Sequence, residues 1–218
     1  MSDKYTYSNR YHTPLFRCAF FRAIEPELIV NADGPQSKNW SLTAILPAGT
    51  DISNIYAAIA DAATKCWGDK ANAVMASPKF RSALKDGGTQ VSRDGELYDG
   101  FEKGQITFKL STKQRAPGIV DRLARPILDA SGTTLTDKAN SVYEIIPENV
   151  AYSGCWFYAT FCAQAYDRAD GRGVSLKLEN LQLVRQDQRF GAGGSCSAED
   201  DFSPLTVAET EELAALLA

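Results

Sequence analysis

Gly154-Cys155-Trp156-Phe157-Tyr158-Ala159-Thr160-Phe161-Cys162-Ala163-Gln164-Ala165-Tyr166 is the most strand-like stretch of this chain. Cys155, Phe157, Ala159, Phe161 and Ala163 fall on one side of a two-residue period. They form an apolar set suited to a core. Trp156, Tyr158, Thr160, Gln164 and Tyr166 fall on the other side, where aromatic and polar groups mix. At thirteen residues the segment is long enough to bend around a barrel.

Working outward, residues 173–184 read as the partner strand. Their apolar phase changes between Leu176-Leu178 and Leu181-Leu183, which predicts a bulge near Glu179-Asn180. Residues 104–112 alternate, with Ile106, Phe108 and Leu110 on one face and Gln105, Thr107, Lys109 and Ser111 on the other. Residues 39–46 place Trp40, Leu42, Ala44 and Leu46 on one face. Residues 15–22 combine aromatics with Arg17 and Arg22 in a first strand. Asp51 or Ser53 can cap a helix running to about Trp67. Its stripe is Ile52, Ile55, Tyr56, Ile59, Ala63 and Cys66, and Gly68 stands at the C-cap position. Residues 69–103 read as irregular. Roughly five strands, one main helix and no βαβ alternation point to a mainly β chain. The expected architecture is a five-stranded Greek-key barrel of the OB type with irregular insertions and a C-terminal tail.

The charge is divided along the chain. Its 218 residues carry a formal net charge of −4, yet no Lys or Arg follows Arg189. Residues 190–218 hold six of the 27 carboxylates, leaving 23 basic against 21 acidic side chains in residues 1–189. A weakly basic body with an anionic tail behind a Gly191–Ser195 hinge suits a polyanionic ligand for which the tail competes. The expected division is therefore a domain over 1–189 and a tail over 190–218.

Residues 103–125 contain Lys103, Lys109, Lys113, Arg115, Arg122 and Arg125 against Asp121 alone. Such cations displace the counterions condensed on a nucleic-acid strand. Trp156, Tyr158 and Trp40 are candidate stacking platforms for unpaired bases, and Arg17 and Arg22, around Phe16, Phe20 and Phe21, extend the groove. The single histidine, His12, and five dispersed cysteines without a C-x-x-C pair give no metal or triad pattern. Neither glycine cluster matches a dinucleotide or phosphate loop. No catalytic residue, metal or cofactor is expected. No apolar run of about 20 residues implies a membrane span. An OB-fold protein-interaction module that does not bind nucleic acid is the alternative. A metal-dependent nuclease built on Asp94, Glu96, Asp99 and Glu102 is a third reading.

Four blocks in order resemble a bacteriophage single-stranded-DNA-binding protein family that is distantly T7-type. They are Ala116-Pro117-Gly118-Ile119-Val120-Asp121, Tyr152-Ser153-Gly154-Cys155-Trp156, Gly173-Val174-Ser175-Leu176-Lys177-Leu178-Glu179-Asn180-Leu181-Gln182 and Ser197-Ala198-Glu199-Asp200-Asp201-Phe202. The resemblance implies an OB fold and non-sequence-specific binding of single-stranded DNA in phage replication, recombination or repair. It implies work in the cytoplasm of the infected bacterial host. It also implies a tail, here Glu199, Asp200, Asp201 and Phe202, that contacts phage or host replication proteins and occludes the groove. A homodimer is left open. The chain departs from the pattern in continuing sixteen residues past Phe202, where Val207, Leu213, Leu216 and Leu217 could line a short helix.

Overall fold

Alternation along the segment quoted first decides how the rest closes around it. In the structure, a computed structural model describing residues 5–30, 36–128 and 151–191, the chain forms β1 (Thr6–His12), β2 (Phe16–Ile29) and β3 (Ser37–Leu46). Helices α1 (Ser53–Trp67) and α2 (Ala71–Met75) follow, then β4 (Leu84–Asp86), β5 (Ile106–Thr112), β6 (Gly118–Val120), β7 (Pro126–Leu128), β8 (Trp156–Arg168) and β9 (Gly171–Arg185).

The five expected strands close a ring. β2 pairs antiparallel with β3, and β3 with β5. β5 then pairs parallel with β9, at Leu110↔Leu176. β9 runs antiparallel to β8, which returns to β2 at Phe16↔Phe157. This is the connectivity of an OB-like barrel. The faces fall as the sequence predicts. Phe157, Ala159, Phe161 and Ala163 of β8 are buried with Leu42, Ala44 and Leu46 of β3, Phe108 and Leu110 of β5, and Leu176, Leu178 and Leu181 of β9. Glu179 is the residue left over where pairing jumps from Thr160↔Asn180 to Phe161↔Leu178, the bulge expected there.

Helix α1 lies between β3 and β5 in the chain and buries Ile55, Ala58, Ile59, Ala62 and Ala63 against the same core. Its N-cap is Ile52 rather than Asp51 or Ser53. The Asp51 carboxylate still serves the helix start, accepting the Ser53 amide at 2.9 Å and its hydroxyl at 3.2 Å. Gly68 closes the helix at φ +55, donating its N–H to the Thr64 carbonyl.

The strand count differs from the expected five, because the described sheet has nine. β1 is polar, with only Ser8 buried, so it carries no alternation to read; it joins the edge of β8 from Thr6↔Ala165 to His12↔Thr160. β4, β6 and β7 have three residues each, too few for a periodic signal. β2 runs to Ile29, past the expected end at Arg22, because register shifts after Ala19 and after Arg22 let pairing with β3 resume at Glu27↔Asn39. The first shift contains Phe20, at φ +50. Phe16 and Cys18 point into the core, as do Phe21 and Ala23 beyond it, so Phe20 is the residue at which the phase changes.

Candidate nucleic-acid interface

That phase change turns Phe20 out of the barrel. It is 46 % exposed, with its ring edge-on to Tyr98 at 5.1 Å and stacked on Phe101 at 5.8 Å. A non-glycine residue at positive φ is disfavoured, and such conformations concentrate at functional positions. Beside it the outer faces of three strands are in register: Arg22↔Ser41↔Ser111 forms one row, and Thr43↔Lys109 lies in the next. Small hydroxyl residues make a low floor, and long cations rise from either side. The resulting groove, about 380 Å3, is lined by Phe20, Arg22, Glu27, Ser41, Thr43 and Lys109.

The groove continues in both directions. A second concavity of about 290 Å3 shares Thr43 and Lys109 and adds Arg81, Lys85, Tyr166 and Ser175. A third, of about 240 Å3, shares Phe20 and is walled by Leu97, Tyr98, Phe101 and Phe190. The side chains of Arg22, Lys85 and Lys109 are exposed and make no ion pair or hydrogen bond with a described residue. Ionised phosphates would therefore meet cations that have no partner among the described residues to give up.

Other predicted residues lie elsewhere. Arg17 is an internal brace. Its Nε donates to the Gly154 carbonyl at 3.0 Å and its Nη2 to the Gln188 carbonyl at 2.8 Å, while its guanidinium lies 4.1 Å over the Phe190 ring. Trp156 donates its indole N–H to Asp187 at 2.7 Å and is capped by the Arg185 guanidinium at 4.7 Å. That indole hydrogen bond, with the Gln188 amide, holds the Asp187 carboxyl below its ordinary value. Tyr158 is 41 % exposed on the same outer face of β8, opposite Gln182 of β9. Trp40 falls in the core-facing alternation of β3, half-buried opposite Thr112.

The cationic strip over 103–125 is divided rather than continuous. Arg115 pairs with Glu179 at 3.3 Å, and Lys177 holds the same carboxylate at 3.0 Å. Burial acts to raise the Glu179 carboxyl, but these two cations outweigh it and hold it low. Arg125 pairs with Asp121 at 2.6 Å. Lys109 sits in the groove, and Lys113 is exposed just beyond the end of β5. Of the candidates, then, the groove unites Arg22 and Lys109. Sequence reasoning placed Phe20 only as a neighbour of arginines, and it missed Lys85 and Tyr98. The Phe20-Phe21 doublet was the available signal, since two adjacent aromatics in one strand cannot both face the core. The residues Glu199, Asp200, Asp201 and Phe202 lie outside the described residues.

The acidic residues of the 94–102 loop are spread among turns, with Asp99 accepting the Gly191 amide at 3.2 Å. Among the described residues no three His, Cys, Asp or Glu side chains form a group that could hold a metal ion. No described helix is long and apolar enough to cross a membrane.

The chain is similar to known proteins in sequence and in fold. The sequence profile of the family described as "Enterobacter phage Enc34, ssDNA-binding protein" matches residues 12–214. Protein p50 of Acyrthosiphon pisum secondary endosymbiont phage 1 is 31% identical over 206 residues, covering 91% of this chain and 95% of that protein. The single-stranded DNA-binding protein from bacteriophage Enc34, solved in complex with ssDNA, is 17% identical. It superposes with a TM-score of 0.56 over 84% of this chain and 89% of its own. The same phage protein in another structure gives a TM-score of 0.55 at 14% identity, over 88% and 90% of the two chains.

Proposed function

The chain belongs to the Enc34 family of phage single-stranded-DNA-binding proteins, and from that premise we propose that its own unpaired strand lies across the outer face of β2, β3 and β5. Phosphates rest on Arg22, Lys109 and Lys85, with Lys113 at the far end of β5. Bases stack on Phe20 and meet Tyr98. The single observation that carries this reading is that Phe20, Arg22 and Lys109 line one groove whose cations have no partner among the described residues. Serine and threonine on the floor read no base edge in particular, so binding is indifferent to sequence.

The protein works by coating unpaired DNA during phage replication, in the host cytoplasm, and performs no chemistry on it. Residues 1–189 form the binding body, and residues 190–218 an anionic segment that competes with DNA and contacts replication proteins. The position of Phe190 supports this role. Its ring fills the space a side chain at Gly100 would need, and its amide donates to the Ser153 carbonyl at 2.9 Å. The last described residues before the carboxylates, Phe190 and Gly191, therefore sit at the aromatic wall of the groove. A tether of this length presents its carboxylates to the groove at millimolar effective concentration, order of magnitude ~1 mM.

Oligo-dT anisotropy titrations over increasing salt test the reading. Four phosphate contacts on a single strand predict a log–log slope of about −3. Truncation after Gly194 should tighten binding about 3- to 10-fold. Salt-insensitive binding, or no retention of oligo-dT at all, would leave a protein-interaction module as the better account.

A further inference from the structure

A cavity larger than the groove lies outside it. It measures about 540 Å3, between α2 with its following loop and the β8–β9 turn. Its walls present Lys70, Lys79, Arg168 and Arg172 against one carboxylate, Asp167, with Val74 and Phe80 as an apolar side. Asp167 is already engaged by Arg172 at 2.9 Å and by the Trp67 indole N–H at 3.2 Å. Arg168 lies over the rings of Tyr5 and Tyr166, each at 5.1 Å. Lys70 and Lys79 have no side-chain partner among the described residues.

The cavity adjoins the groove through two short stretches of chain. Arg81 and Tyr166 line the groove's Lys85 end, while their neighbours Lys79-Phe80 and Asp167-Arg168 line the cavity. The join is rigid. Arg81 donates to the Asp170 carboxylate at 3.1 Å and to its carbonyl at 2.8 Å, and its backbone amide donates to the Arg172 carbonyl at 2.9 Å. A strand leaving Lys109 past Lys85 thus meets, beyond the Arg81–Asp170 ion pair, the lysines of the cavity.

We infer that this cavity is a second phosphate-binding segment for single-stranded DNA, which lengthens the path beyond the barrel face. The inference rests on the groove reading and adds to it a ligand class for α2 and the loop that follows it. Lys70 and Lys79 take backbone phosphates, and Phe80 and Val74 receive the sugar or base between them. A short oligonucleotide fills the groove alone, whereas a longer one reaches both segments.

The test compares wild-type full-length chain with a Lys70→Glu, Lys79→Glu variant, using oligo-dT of about 5 and about 16 nucleotides, the span of site sizes known for one OB fold. The expected result is unchanged affinity for the short oligonucleotide and on the order of 10-fold weaker binding of the long one. The salt slope for the long one should fall by about 1.4, the release of two contacts on a single strand. Both lysines are exposed and have no side-chain partner among the described residues, so the melting temperature should hold, and Lys70→Gln with Lys79→Gln should show the same length dependence at smaller size. Equal weakening of both lengths, or of neither, would overturn the second segment while leaving the groove standing. Wild-type chain that retained neither oligonucleotide would overturn the groove and this inference together.

Discussion

Two outer faces of the same ring carry aromatic and basic side chains, and they differ in what those side chains already hold. Around β8 and β9, Trp156 is bound to Asp187 and covered by Arg185, Arg17 at the start of β2, paired with Trp156, is spent on carbonyls and on Phe190, and Glu179 occupies both Arg115 and Lys177. On β2, β3 and β5, Arg22, Lys85 and Lys109 hold no described partner around an exposed Phe20. The two faces look alike in composition. They separate on the state of their charges, because an ion pair inside the protein must be broken before a phosphate can take its place.

Reversing two groove charges is the strongest way to break that contrast. Arg22→Glu with Lys109→Glu should weaken oligo-dT binding on the order of 100-fold or more by removing two phosphate contacts and adding repulsion. Thermal melting should be unchanged, since neither side chain has a described partner to lose. Phe20→Ala comes next. Loss of one stacked base is worth ~1–3 kcal/mol, roughly 5- to 150-fold in affinity by anisotropy titration. Trp156→Phe sharpens the comparison from the other side. Affinity should stay within about twofold, while chemical denaturation shows about 1 kcal/mol lost with the Asp187 hydrogen bond.

The smallest effect concerns pH. Glu179 titrates lower in the folded chain than its ordinary value of 4.5. A depressed carboxyl contributes stability that is complete above that value and fades as pH falls through the folded pKa. Glu179→Gln should therefore lower stability at neutral pH by a few tenths to about 1 kcal/mol. It should also flatten the fall in stability below pH 4.5, which denaturant melts over an acid pH series would record. A variant whose acid limb stayed as steep as wild type would remove Glu179 from that account.

Much of the ring was legible because its five long strands bury one face and expose the other. That alternation is the part of a fold a sequence displays most openly. The bulge at Glu179 was legible for the same reason, as a break in phase. β1 was hidden by its polarity: Tyr-Ser-Asn-Arg-Tyr-His completes a sheet edge through backbone pairing, which leaves no hydrophobic trace. The site was only partly legible. Arg22 and Lys109 could be found as cations on strands, but pairing decides which cations remain available: Arg125 is held by Asp121 four residues before it, and Arg115 finds Glu179 only in three dimensions. Phe20 was half legible: the Phe20-Phe21 doublet requires one ring to face outward, but the backbone irregularity at φ +50 decides which. Trp156 drew attention by residue type, yet Asp187, thirty-one positions away, had already engaged it.

Ultraviolet cross-linking of oligo-dT to the full chain, followed by tryptic mapping, tests most directly which face holds the strand. The account predicts that the label is recovered on the peptide Cys18–Arg22, which contains Phe20. Label confined to Trp156 or Tyr158, within the peptide Ala139–Arg168, would contradict it.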